Sequence, residues 1–246
     1  MDKALYVGMN AASQNMLAQA VNANNLANAS TTGFRSDFSQ ALALQVQGDG
    51  YLSRAYNQSE TPASDFAQGP LRQTGNDMDI AIQGEGWISV VARDGSEAYS
   101  RAGELTLSPL GELMTADGLP VLGNAGPIAL PPFEKLEIGN DGTLSIRELG
   151  QGPQVMSVLD RIKLVNPNTQ DLVKGADGLF RRRDGAEEIA DGNVRVAAGY
   201  LEGSNVNVVD AMVEMIALTR NYELNIKLMQ TAERNSEAAA TLLRIQ

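Results

Sequence analysis

Glycine and proline are confined almost entirely to the middle of this 246-residue chain. All nine prolines lie within residues 62–167, and 22 of the 24 glycines lie within residues 48–203. Both residue types interrupt helices, because proline lacks a backbone N–H and glycine loses much conformational freedom when a helix forms. The two ends of the chain, which contain only Gly8 and Gly33, can therefore form long helices, whereas the middle must consist of short elements joined by turns.

The composition removes several kinds of chemistry. The chain contains no His and no Cys, which excludes triads with an imidazole, thiol nucleophiles, zinc fingers, haem and iron–sulfur ligation, and disulfides. A formal net charge of −11 argues against a nucleic-acid partner, since such binding depends on clustered Lys and Arg that neutralise phosphates. We therefore expect no metal, no cofactor and no nucleic acid.

Residues 1–33 have the pattern of one α-helix followed by a turn. No charged residue occurs from Ala4 to Phe34. Small and apolar residues recur at steps of three and four, as they do along one face of a helix. We interpret this stripe as a face that packs between subunits, and it consists of Leu5, Met9, Ala12, Met16, Ala20, Ala23 and Ala27.

The other face of this predicted helix carries amides where most surface helices carry Lys and Glu. Uncharged amides tolerate burial when they are hydrogen-bonded, and charges do so far less readily. We therefore expect a helix that is contacted on more than one side, and one that ends within residues 28–33, where Gly33 suits a positive φ. The amides are Asn10, Gln14, Asn15, Gln19, Asn22 and Asn25.

The C-terminal segment predicts a second and longer helix. Its seam alternates steps of four and three, as in a heptad repeat, and turns polar only at Glu233 and Ser236. A helix over residues 208–243 would be roughly 54 Å long. Because a small domain cannot cover that length on all sides, we expect the seam to pack between subunits through Val208, Met212, Met215, Thr219, Tyr222, Ile226, Met229, Ala240 and Leu243.

Between the helices, the sequence predicts a connector and then an antiparallel β domain. Residues 34–70 are interpreted as an extended linker with one hairpin. Residues 71–203 contain short β-type runs and six Asp-Gly pairs, which favour hairpin turns. The predicted fold is α+β: helices from residues 1–33 and 204–246 form a coiled-coil core region, and the all-β domain lies between them in the chain.

Candidate catalytic and anion-binding residues have simpler interpretations. Asp77 and Asp79 could act as an acid–base pair, but nothing else marks a cleft, so we interpret them as solvated groups beside a strand. The cationic triplet Arg181, Arg182 and Arg183 is interpreted as a strand end whose charge is balanced by nearby acids. We predict no catalytic residue.

The sequence also bears on targeting. The start of the chain lacks the continuous apolar stretch of a cleaved secretory signal. No window approaches the roughly 20 apolar residues that span a bilayer. We therefore expect no membrane insertion and, if the protein leaves the cytoplasm, export without a cleaved signal peptide.

Three segments resemble the flagellar axial proteins of the rod and hook. Residues 24–34 resemble the signature that closes the first helix of that family. Residues 74–87 and 99–103 resemble the beginning of its β domain, and residues 199–208 resemble the start of its C-terminal core helix. The resemblance runs in order over nearly the whole chain, and in the first segment it rests on Asn24, Asn25, Leu26, Ala27, Asn28, Gly33 and Phe34.

Within that family, the chain resembles the proximal rod proteins most and the distal rod proteins next. This resemblance rests on the first six residues, residues 11–14, Arg35 and the modest length. The resemblance implies a structural, non-enzymatic subunit of the flagellar basal-body rod where it crosses the periplasm. It implies helical self-association through the terminal helices and contacts with other rod and basal-body proteins. It further implies torque transmission, enclosure of the export channel and passage through the flagellar type III export apparatus.

Two functions of other classes stay open at this point. The β-domain carboxylates could belong to a periplasmic hydrolase of cell-wall glycan. The heptad seam could form the stalk of a trimeric coiled-coil adhesin.

Overall fold

The computed structural model describes residues 2–38, 41–45, 55–59, 63–150 and 155–244. The chain forms two compact units and passes between them several times. Unit 1 comprises Met1–Ala29, Ser36–Asp65 and Val206–Gln246, and unit 2 comprises Ser30–Arg35 and Phe66–Asn205.

Two long helices from opposite ends of the chain pack against each other in unit 1. Helix α1 spans Asp2–Ala27 and helix α2 spans Val208–Arg244. Both predicted helices are thus confirmed, and α1 ends just before the predicted turn. Asn207 caps α2: its Oδ1 accepts from the N–H of Val209 at 3.1 Å, and its Nδ2 donates to Asp210 at 2.6 Å.

The described residues of unit 1 also form four short strands. Strand β1 (Asp37–Phe38) pairs with β4 (Ala63–Ser64), and β2 (Ala41–Gln45) pairs with β3 (Ala55–Ser59), both antiparallel. The described residues of the predicted linker therefore contain two nested antiparallel strand pairs, where the sequence predicted one hairpin.

The strands of unit 2 pair in an antiparallel manner throughout its described residues. A 3-10 turn at Thr169–Asp171 precedes the strand that begins at Leu172. In chain order the strands are β5 (Leu71–Gln73), β6 (Ile80–Gln83), β7 (Trp87–Val91), β8 (Glu97–Ser100), β9 (Leu105–Leu107), β10 (Leu113–Thr115), β11 (Phe133–Ile138), β12 (Thr143–Glu148), β13 (Ser157–Arg161), β14 (Leu164–Val165), β15 (Leu172–Lys174), β16 (Phe180–Arg182), β17 (Arg195–Ala198) and β18 (Tyr200–Glu202).

These strands form several small sheets around an aliphatic core. The largest sheet has the order β14-β7-β8-β16-β15, and a second has the order β11-β12-β13. The other strands form the pairs β5 with β18, β6 with β17 and β9 with β10. The predicted antiparallel β region is confirmed, and its turns follow the Asp-Gly pairs: five of the six glycines have a positive φ, Gly192 being the exception.

The core of unit 2 is mainly aliphatic, as the low aromatic content of the chain requires. Its main cluster is built almost entirely from Ile, Leu, Val and Ala, among them Ile80, Ile88 and Leu144, none of which is exposed. A smaller aromatic cluster contains Trp87 and Phe180, whose ring centroids lie 4.7 Å apart. Antiparallel sheets with one face on an aliphatic core account for the alternating burial along β12.

Neither a membrane span nor a metal cluster occurs among the residues that the structure describes. No helix there is long and apolar enough to cross a bilayer. The same residues contain no group of three or more acidic side chains placed to hold a metal ion.

We predict that Gly103→Ala destabilises unit 2 by more than about 2 kcal/mol, because a Cβ at this position would overlap the carbonyl oxygen of Ile80. Gly192→Ala is the control, since no heavy atom lies within 4 Å of its added Cβ, and it should change the free energy of unfolding by less than about 0.5 kcal/mol. Denaturant unfolding followed by the fluorescence of Trp87, the only tryptophan, measures both. Equal stabilities of the two variants would contradict the packing at Gly103.

Candidate assembly surface and junction cluster

The face of α1 that meets α2 is made of small residues and amides. In the described part of α1 the buried residues are Gly8, Ala12 and Asn22. A Cβ added to Gly8 would lie 2.9 Å from Cγ of Met229 and 3.3 Å from a methyl group of Leu228. The two helices therefore approach closely at Gly8, the one glycine within α1.

Amide side chains of α1 hydrogen-bond to α2. Asn22, which is 5% exposed, donates from Nδ2 to the carbonyl oxygen of Ala211 at 2.7 Å. Gln19 donates to the hydroxyl of Thr219 at 3.4 Å. The prediction that the amide face tolerates burial is confirmed at Asn22, because a hydrogen bond offsets the cost of removing the amide from water.

Two asparagines of the family motif hold the end of α1. The side chain of Asn25 donates to the carbonyl oxygen of Asp37 at 2.6 Å and accepts from its N–H at 2.9 Å, as a neighbouring strand would. Asn28 donates to the carbonyl oxygen of Asn24 at 2.9 Å, which satisfies one acceptor in the last turn of the helix. The motif thus fixes where α1 ends and where β1 begins.

A large apolar surface of the helix pair stays exposed within the chain. We call it the outer helix surface; its large apolar side chains are 38–68% exposed. Single exposed apolar residues are normal, but so many on one pair of helices are typical of an interaction site. The set consists of Leu5, Tyr6, Val7, Met9, Met16 and Leu17 of α1 and Val208, Val209, Met212, Val213, Ile216, Leu224 and Leu228 of α2.

The residues of α1 that were predicted to pack between subunits are mostly exposed. Ala12 is buried within the chain, whereas the others are exposed: Leu5, Met9, Met16, Ala20, Ala23 and Ala27.

The residues predicted from α2 divide more evenly. Four are exposed and four are half-buried, and the side chain of Leu243 lies outside the described residues. The exposed residues are Val208, Met212, Thr219 and Ala240, and the half-buried residues are Met215, Tyr222, Ile226 and Met229.

Sequence reasoning missed a second stripe on α2. Val209, Val213 and Ile216 recur at steps of four and three, and they are 68%, 63% and 55% exposed. The periodicity of this stripe is present in the sequence, but α2 carries apolar residues around much of its circumference at its N-terminal end. The pattern alone therefore does not tell which stripe faces α1.

Unit 2 contains a buried ionic cluster, which we call the junction cluster: Arg35, Arg101 and Glu202. Nη2 of Arg35 lies 2.6 Å from Oε1 of Glu202, and both side chains are fully buried. Nη1 of Arg101, 5% exposed, lies 2.9 Å from Oε2 of the same carboxylate. Burial lowers the pKa of Arg101, the charge of Glu202 opposes that shift, and the neighbouring Arg35 adds to it.

Backbone groups complete the surroundings of Glu202. Its Oε1 also accepts from the N–H of Gly69 at 3.0 Å, and its carbonyl oxygen accepts from the N–H of Gly33 at 2.8 Å. Arg101 donates to the carbonyl oxygen of Gly84 at 2.8 Å and lies 5.3 Å from the ring centroid of Trp87. Both carboxylate oxygens are thus hydrogen-bonded or ion-paired, as a buried charge requires.

The last two residues of the family motif lie beside this cluster. Gly33 has a φ of 69°, and a Cβ there would overlap the carbonyl carbon of Arg101, so no other residue fits. The ring of Phe34 lies 4.1 Å from Nζ of Lys174, which donates to the carbonyl oxygen of Arg35 at 2.7 Å. Sequence reasoning named Gly33, Phe34 and Arg35 from the motif but did not connect them with Glu202.

The other candidates have ordinary surroundings. Asp79 is buried and accepts from Nδ2 of Asn76 at 3.0 Å, while Asp77 is exposed. In the basic triplet, Arg181 pairs with Asp177 at 2.7 Å and Arg182 pairs with Asp184 at 2.6 Å. The prediction that Asp79 stays solvated is wrong, because its side chain is buried against Asn76, whereas Asp77 is exposed as expected. The ion pairs of Arg181 and Arg182 confirm the expected charge-balanced strand end.

Three family models match the chain in the order of its elements. Residues 5–35 match the model described as "Flagella basal body rod protein". Residues 81–146 match "Flagellar hook protein FlgE/F/G D1 domain", and residues 197–242 match "Flagellar basal body rod FlgEFG protein C-terminal". The first and last of these cover most of α1 and α2.

Curated relatives resemble the chain over its full length. It is 40% identical over 249 residues to the flagellar basal-body rod proteins FlgF of Salmonella typhimurium and of Escherichia coli K12, with 99% of each chain covered. It is 34% identical over 253 residues to the FlgF protein of Caulobacter vibrioides, with 100% of both chains covered.

We predict that Asn22→Asp weakens the packing of α1 on α2 by at least about 2 kcal/mol, because a buried carboxylate would replace the donor and face the carbonyl oxygen of Ala211. Asn24→Asp is the control: the same substitution two residues away, on an exposed side chain, should cost less than about 0.5 kcal/mol. Amide hydrogen exchange of α1 in the isolated protein measures both. Equal protection in the two variants would contradict the role of Asn22.

Proposed function

The chain belongs to the flagellar basal-body rod protein family, and on that premise we propose that it is a structural subunit of the proximal rod. The observation that carries the proposal is the outer helix surface, which leaves thirteen large apolar side chains uncovered on the helix pair. A protein that worked alone would have to keep this surface in water. A subunit of a helical assembly covers it with its neighbours.

In the proposed rod, α1 and α2 form the coiled-coil core region, and copies of this chain and other rod proteins pack against the outer helix surface. Apolar side chains supply the association energy, since burial is favourable by roughly 25 cal/mol per Å² of apolar area removed from water. Each subunit repeats the same contacts, so torque passes through many of them in parallel.

The lack of charge on α1 supports a position close to the export channel. From Ala4 to Phe34 the chain carries no charged side chain, and its polar groups there are mainly amides. Such a surface neither attracts nor repels charged segments of passing substrates strongly. In this proposal the subunit reaches the rod through the flagellar type III export apparatus, encloses part of the channel and lies where the rod crosses the periplasm.

The other functions have less support. Full-length relatives also include FlgG proteins, such as that of Agrobacterium fabrum at 32% identity, so a distal position in the rod is the alternative. A hydrolase would need two carboxylates arranged around a substrate, but Asp79 is tied to Asn76 and Asp77 is exposed. We propose no catalytic role.

We predict that Ile216→Asp abolishes rod assembly and swimming while the isolated subunit still folds. Ile216 is 55% exposed in the chain, so a carboxylate there stays in water until a neighbour covers it, when it becomes buried and unpaired. Swimming, the amount of subunit in purified basal bodies and the circular dichroism of the isolated protein measure these effects.

Asn221→Asp is the matched control, because it places the same side chain on an exposed position of α2 that is already polar. It should swim. If the Ile216→Asp strain assembles basal bodies as the parent does, the stripe of Val209, Val213 and Ile216 does not lie at a subunit contact.

A further inference from the structure

The chain passes between the two units at four peptide bonds, and the parts of unit 2 next to those bonds form three segments: residues 30–35, 66–70 and 202–205. We call them the crossing segments. They hydrogen-bond to one another: the N–H of Gly203 donates to the carbonyl oxygen of Pro70 at 2.9 Å, and Nδ2 of Asn205 donates to that of Ala67 at 3.1 Å.

One carboxylate touches all three crossing segments. Glu202 lies in the third, pairs with Arg35 of the first and accepts from the N–H of Gly69 in the second. Its carbonyl oxygen adds the bond from Gly33. Arg101, which belongs to the body of unit 2, pairs with the other carboxylate oxygen and connects the set to β8 through the adjacent chain.

We propose that Glu202 is a positioning residue for rod assembly: it holds together the three crossing segments from which the helix-bearing parts of the chain leave unit 2. This inference rests on the proposed function only for its link to assembly. Its local part, the joining of the crossing segments by Glu202, holds for the isolated protein.

The charge of Glu202 is essential to this arrangement. Two guanidinium groups, Arg35 and Arg101, lie in contact with it, and their like charges repel. An amide of the same shape would still accept from Gly69 but would leave two buried cations facing each other without a counter-charge. Repulsion between these two cations would then favour local opening of the crossing segments, against the hydrogen bonds that remain between them, such as that from Gly33 to the carbonyl oxygen of Glu202.

If Glu202 only stabilised the core, its neutralisation would have the same effect on amide exchange as neutralisation of another buried acid. Glu97 is the matched comparison: its side chain is 5% exposed, it pairs with Lys163 at 2.6 Å, and it accepts from the hydroxyl of Ser89 at 3.1 Å. It is a buried, paired carboxylate of the same unit, but its partners lie outside the crossing segments. Any general cost of neutralising a buried acid affects both residues.

The test uses the full chain and backbone amide exchange followed by NMR. In Glu202→Gln, the N–H groups of Gly33 and Gly69 should exchange at least tenfold faster, since local opening exposes them, while the N–H of Ile80 in the core keeps its rate. Glu97→Gln should leave Gly33 and Gly69 unchanged. Glu202→Asp, which retains the charge, should retain most of the protection.

A second variant covers the case in which Glu202→Gln fails to fold. Arg35→Gln removes one cation and leaves the pair of Arg101 and Glu202 balanced, so faster exchange is expected at Gly33 but not at Gly69. The proposal is overturned if Gly33 keeps its rate in both variants, or if Ile80 accelerates as much as Gly33, which would indicate a purely stabilising role.

Swimming tests the link to assembly. A strain that carries Glu202→Gln should not swim, whereas strains that carry Glu202→Asp or Glu97→Gln should swim. This result is independent of the result for Ile216→Asp. If Glu202→Gln accelerates exchange as expected and still swims, the positioning role in assembly is wrong while the rod proposal stands. If Ile216→Asp assembles normally, the rod proposal loses its main support while the exchange result for Glu202 is unaffected.

Discussion

The two-sided ion pairing of Glu202 is the interaction on which the joining of the three crossing segments depends. A fully buried carboxylate is costly unless it is paired, and here two arginines and a backbone N–H satisfy it. Its partners come from distant parts of the sequence, with Arg101 lying 101 positions before it. The cluster therefore joins parts of the chain that lie far apart in the sequence.

The helix pair of unit 1 is held together by different interactions. On the α1 side its inner contacts use small residues and amides, as the close approach of Gly8 to Met229 and the bond from Asn22 to Ala211 illustrate. Many of its large apolar side chains stay exposed within the chain. A helix pair built in this way joins within the chain through specific polar bonds and leaves its hydrophobic side chains for association.

Much of the fold follows from local sequence signals. The helix ends at Ala27 and Val208 and the turn at Gly33 depend on neighbours a few residues away, so periodicity, caps and glycine positions predict them. Asp-Gly turns likewise predict hairpins between neighbouring strands, but pairs such as β6 with β17 join strands that lie far apart in the sequence. The role of Glu202 could not be predicted in this way, because nothing local distinguishes it from the other 29 acidic residues. The stripe of Val209, Val213 and Ile216 was missed because a helix with apolar residues on several faces has no unique inner side.

The central claim is that neighbouring subunits cover the outer helix surface in the rod. Hydroxyl-radical footprinting tests it most directly, because Met9, Met16 and Met212 are 54%, 57% and 51% exposed in the isolated chain and methionine reacts readily. If neighbouring subunits cover this surface, all three are modified in the isolated protein and become protected in purified basal bodies. If they react as fast in the basal body as in the isolated protein, the outer helix surface is not the assembly surface.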